Sequence, residues 1–230
     1  MNRTTRIRHL LPLAILAFIP VPAHAIPAIT CHCFTDRSYD PARPAVADPY
    51  FLATTQNSFF AAVFNVDRKT IVLKKQLGTS ADDLWVAYGI AARTGMAPER
   101  LLQARQDYPS WHDALAGQHL SAQTAGELIY RALQAGASDS GLAEAVVDDL
   151  LLRHRLIGAP ELRALRKRGA TNQELIIATV IGSLTHVPAD ELFREVKDGS
   201  KSWGALLNAA NITAANIPTD IAYLLKQHRG

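Results

Sequence analysis

Two thiols flank an imidazole at Thr30-Cys31-His32-Cys33-Phe34, and these are the only cysteines in the 230 residues. In an oxidising compartment such a pair forms a disulfide. One intervening residue makes that ring small and strained, hence easily reduced. The chemistry this predicts is a labile redox pair, or a soft-metal site in which the thiolates of Cys31 and Cys33 and the ring of His32 are ligands. A closed zinc site needs four ligands, so a fourth would come from elsewhere in the chain. Covalent haem attachment is not supported, because Cys-x-x-Cys-His is absent. An incidental disulfide, a lipid-modified cysteine and intermolecular pairing stay open beside the redox and metal readings.

Other reactive residue types do not assemble by spacing. Histidines at 112, 119, 154, 186 and 228 are scattered, with no His-Glu-x-x-His helix for zinc. His112 and His119 share a helical face only if a helix continues through Gly117. Asp148 and Asp149 are adjacent, so on a helix they point about 100° apart and do not converge. No Gly-x-Ser-x-Gly elbow is present, and Gly78-Thr79-Ser80 reads as a helix stop followed by a cap rather than a phosphate cradle. The polar run Thr54-Thr55-Gln56-Asn57-Ser58 interrupts an apolar helix. It reads as a solvated face with one or two satisfied buried groups, or as a pocket wall facing the Cys31 segment.

The start of the chain reads as an address. Arg3, Arg6 and Arg8 precede an apolar stretch from Leu10 to Val21, and Ala23-His24-Ala25 is a small-x-small cleavage pattern. Residues 1–25 are therefore expected to be a cleaved signal peptide, too short in its apolar part for a span of roughly twenty residues. The expected destination is the periplasm or beyond, with no transmembrane span in the mature chain.

Cleavage changes the electrostatics. The precursor carries 24 Lys+Arg and 21 Asp+Glu. Three of the arginines leave with the leader, and the mature chain is formally neutral. A nucleic-acid binder carries a surplus of cations, so no nucleic-acid partner is expected. The local cluster Arg163-Arg166-Lys167-Arg168 reads as a solvated face near a helix C-terminus, where cations suit the dipole.

Internal similarity supplies the elements. Gly78 and Gly169, Leu84 and Leu175, Thr94 and Thr185, Leu101 and Leu192, and Asp107 and Asp198 are each 91 residues apart; Ser110-Trp111 answers Ser202-Trp203 at 92. Asp48 opens one segment and Asp139 the other. The expectation is a tandem duplication of a helical unit of about ninety residues, 48–137 and 138–230, with an irregular N-terminal segment at 26–47.

Each copy is read as five to six helices: 49–64 and 140–156, then 67–77 and 160–168, then 81–93 and 172–184. A fourth is opened by Pro98 and Pro188, a short one follows Ser110 and Ser202, and a last helix ends each copy. Ser80 with Asp83 and Thr171 with Glu174 form capping patterns. Gly78 and Gly169 stop the second helices, and Trp111 and Trp203 anchor the short ones, ligand stacking being their alternative role. No hairpin signal is present. The fold class expected is all-α, without significant β-sheet.

Without a convergent catalytic set, the function expected is a non-catalytic protein-binding or structural module, its partner another envelope protein. The alternative is a thiol-redox or soft-metal factor acting through Cys31, His32 and Cys33. No cofactor is required by the sequence.

Overall fold

Helix boundaries in this chain are set by short polar side chains and by left-handed stops. The Thr171 hydroxyl accepts from the Glu174 amide while the Glu174 carboxylate takes the Thr171 N–H, a reciprocal cap. Ser80, Ser110, Ser138 and Ser202 each accept from the amide three residues on. At the other ends, Gly78 (φ +97°) and Gly169 (φ +81°) reverse the chain in a left-handed conformation that costs an L-residue about 1 kcal/mol.

The computed structural model describes residues 34–227. Among them are 13 α-helices, one 3-10 turn at Ala116–Gln118 and no strand, so the chain is all-α. The first seven helices are α1 (Asp48–Phe64), α2 (Arg68–Gln76), α3 (Ala81–Thr94), α4 (Pro98–Asp107), α5 (Trp111–Leu115), α6 (Ala122–Ala125) and α7 (Glu127–Gln134). The rest are α8 (Asp139–Arg153), α9 (Ala159–Lys167), α10 (Asn172–Thr185), α11 (Ala189–Lys197), α12 (Trp203–Ala209) and α13 (Ile217–Gln227). Residues 69–73 and 176–181, which carry strand-like runs, are helical in α2 and α10.

Three boundaries differ from expectation. α8 ends at Arg153 rather than 156, because Arg155 turns left-handed (φ +53°) and Leu156 N–H closes onto Leu151 O. Pro188 is the residue before α11, not its first turn, whereas Pro98 is inside α4. The end of the first half breaks into α6 and α7 at Gly126 (φ +91°), where a Cβ would lie 3.0 Å from the Arg93 guanidinium. The second half has a turn and then the uninterrupted α13.

The core is one cluster running through both halves. α3 and α10 are its central helices, each with a run of consecutive buried residues, Leu84–Ala91 and Leu175–Ile181. A helix buried on all sides must be covered by several others. α3 is covered mainly by α4 and α8, and α10 by α1 and α11. α8 also packs along α7, while α1 packs along α13 and touches α12. The two tryptophans open the short helices α5 and α12 and are buried, Trp111 fully and Trp203 at 2% exposure. Removing a ring of that size from water contributes about 2–3 kcal/mol.

Carboxylates at the starts of the two long helices fasten these short ones. Asp48, first in α1, accepts from Trp203 N–H (3.1 Å) and Gly204 N–H (2.8 Å). Asp139, first in α8, accepts from Trp111 N–H (2.9 Å) and from Arg105 (2.6 Å). Trp111 also donates its indole N–H to Asp83 (2.8 Å).

Candidate functional site

The polar run of α1 is not a solvated face. Thr55, Gln56, Asn57 and Ser58 are all buried, and each has a defined partner. Thr55 Oγ1 donates to Phe51 O one turn back (2.8 Å). Ser58 Oγ accepts from Arg68 (3.3 Å), Asn57 Oδ1 from Lys75 Nζ (2.7 Å), and Gln56 Oε1 from Gln173 Nε2 (2.9 Å). The last pair joins residues 117 apart in sequence and brings α10 to α1.

Gln56, Lys75 and Gln173 share the wall of a cavity of about 390 Å³ with Thr79 and Ser80. Its apolar side is Phe34, Pro49, Leu52, Ala53 and Ala81. The volume falls within the roughly 300–1,000 Å³ typical of ligand sites. Local structure explains the grouping. The left-handed turn at Gly78 ends α2 just after Lys75 and feeds Thr79 and Ser80 into the cap of α3. Pro49 and Leu52 come from the first turns of α1, and Phe34 from the incoming N-terminal segment, where its ring meets Tyr50 edge-on at 5.6 Å.

Lys75 is the one cation among the described lining residues. Its neighbour Lys74 reaches Glu99 at 3.4 Å, whereas no carboxylate among the described residues pairs with Lys75. Burial without a counter-ion disfavours the ammonium, and the Lys75 pKa falls from 10.5 to about 8. Its hydrogen-bond partner is the neutral Asn57 amide, while Ser80 Oγ donates to Asp83 (2.7 Å). Lysine and serine are therefore not coupled as base and nucleophile. Neither a carboxylate nor an imidazole lines the cavity among the described residues.

The other sequence candidates lie apart. Cys31, His32 and Cys33 fall outside the described residues, although Phe34, one peptide bond beyond Cys33, is in the cavity wall. His112 and His119 both line a separate cavity of about 140 Å³ with Tyr130. No continuous helix joins them: α5 stops at Leu115, and after the 3-10 turn His119 is left-handed (φ +46°). Among the described residues no three His, Cys, Asp or Glu side chains gather for a metal ion.

Asp148 and Asp149 diverge as their spacing requires, Asp148 to Arg166 (2.7 Å) and Asp149 to Arg93 (2.5 Å). Arg166 and Arg168 of the basic cluster are thereby engaged, the latter with Asp190 at 3.8 Å. No helix among the described residues is long and apolar enough to cross a membrane.

Comparison with family models, curated proteins and solved structures returns no match to this chain.

Proposed function

We infer that this chain is an exported, periplasmic binding module without catalytic activity, and that it holds another envelope protein through the cavity beside Phe34. One observation carries the reading. An amide pair and an ammonium line the cavity together with apolar side chains, with no acid or imidazole among the described lining residues. Such a lining orients a ligand, while general acid–base chemistry needs a titrating pair in reach of the reacting atoms. Export is supported by the basic, apolar and small-x-small order of residues 1–25.

The scaffold is, on this reading, a duplicated helical unit whose copies exchange their first helices. Support comes from like-placed pairs. Asp48 in the first half caps α12 of the second, and Asp139 in the second caps α5 of the first. α1 packs on α10 and α13, and α8 packs on α3 and α7. Each long helix thus covers the third and last helices of the opposite copy.

The test immobilises the mature protein, 26–230, beside an Ala81→Trp variant whose indole fills the cavity. Both are exposed to an envelope extract, and bound proteins are quantified by mass spectrometry. A specific protein is expected on the wild type and reduced by about tenfold or more on the variant. Equal retention on both, or turnover of a substrate by the wild type, overturns the reading.

A second reading retains Cys31, His32 and Cys33 as a thiol or soft-metal site. It is favoured by Phe34, which ties that segment to the cavity wall by one peptide bond. Thiol titration and metal analysis against the Cys31→Ser, Cys33→Ser double variant decide it: unchanged metal content and reducible thiol count in the variant remove it.

A further inference from the structure

We propose that the cavity takes the carboxyl-terminal residue of a partner polypeptide, an apolar side chain with its free carboxylate on Lys75 and its peptide group on the Gln56–Gln173 pair. This deepens the binding reading above and rests on it.

The first support is charge. Lys75 Nζ has one partner, Asn57 Oδ1, and an ammonium has three hydrogens to give. An amide oxygen satisfies one of them and cancels none of the charge. Buried cations are ordinarily paired, and an incoming carboxylate supplies both the missing acceptors and the missing charge. Lys75 is the single cation among the described lining residues, so the match is to a monoanion rather than a phosphate dianion. The N-terminus of α3 adds little here, because Asp82 and Asp83 already occupy its first turn.

The second support is independent of charge. Gln56 is 4% exposed, yet among the described residues its amide has one partner, Gln173. An amide-to-amide bond leaves one NH₂ on one side chain and one carbonyl oxygen on the other. Exchanging the O and N assignments of both side chains preserves that remainder. A free donor beside a free acceptor is the complement of a peptide group. It is wasted on a fatty acid, which carries neither beyond its headgroup. The third support is the apolar lining of Phe34, Pro49, Leu52 and Ala53, which suits one large apolar side chain. About 390 Å³ admits a residue or two and not a folded domain.

The experiment measures binding by calorimetry to acetyl-glycyl-seryl-glycyl-alanyl-leucyl-phenylalanine as the free acid and as the C-terminal amide, with decanoate as a third probe. The free acid is expected to bind the wild-type protein at least about tenfold more tightly than the amide. In Lys75→Met the two peptides are expected to bind alike, with an unchanged far-ultraviolet spectrum. Equal affinity of acid and amide for the wild type overturns the proposal, and so does a preference that survives in Lys75→Met. If the variant does not fold, the acid-to-amide comparison on the wild type decides alone. Binding of decanoate without the free-acid peptide assigns the site to a free organic acid and overturns the polypeptide occupant. Extract capture that is abolished by Ala81→Trp, with neither peptide bound, leaves the binding reading standing and this one refuted.

Discussion

Replacing Lys75 by methionine makes the protein more stable at neutral pH, although it deletes a hydrogen bond. The side chain ionises near pH 10.5 when solvated and near pH 8 in the fold, with burial as the cause. That difference corresponds to about 3 kcal/mol of cost for keeping the ammonium charged in the folded state. Below pH 8 both states hold the proton and the whole cost is present. Between pH 8 and 10.5 the unfolded chain keeps a proton that the folded chain has released, so stability climbs with pH across this window.

Methionine fills similar space, carries no charge and forfeits the bond to Asn57, a loss of about 1 kcal/mol. The net gain at pH 7 is therefore about 2 kcal/mol, and it shrinks to near zero by pH 10. Urea unfolding of both proteins at the two pH values measures it, and all other titrating groups cancel in the difference. An advantage for Met that is the same at pH 7 and pH 10, or a variant less stable at pH 7, refutes the picture of an uncompensated buried cation.

Three further outcomes are expected. Asp48→Ala strips the acceptor from Trp203 and Gly204 amides, and Asp139→Ala strips it from Trp111 and Arg105; each loses about 2 kcal/mol in denaturant unfolding. Gly89→Ala, which ordinarily favours a helix, destabilises by about 1–3 kcal/mol, because a Cβ there falls 2.4 Å from Val146 Cγ1 and wedges α3 from α8; an unchanged melting temperature contradicts that contact. Cutting the chain by packing rather than by sequence similarity gives a better fragment: 67–157, which keeps α8 on α3 and α7, retains more helix by circular dichroism than 48–137.

Helix identity was legible because caps and stops are local. Ser80, Thr171, Gly78 and Gly169 act within a turn of their own positions, and four-residue patterns suffice to find them. The polar run of α1 was visible too, but its burial was not. Gln56 is satisfied by a residue 117 positions away, which periodicity has no means of pairing. Lys75 gave no signal at all, since a lysine in the last turn of a helix is what the dipole favours. What separates it from Lys74 is the want of a carboxylate partner among the described residues, a property of the assembled cavity. Apolar periodicity likewise states which face each helix must bury without stating against what, so the covering of α10 by α1 and α3 by α8 is absent from the sequence pattern.

The docking of α1 along α13 has a consequence for the order of events during synthesis. The first of the described helices waits for the last of them, about 150 residues downstream, before its most extensive contact forms. Contacts of α8 with α3 and α7 lie within a shorter stretch of chain and can form earlier, so the packing of α1 is the late step. Truncation into α13 would accordingly loosen α1, its neighbour in space though far from it along the chain.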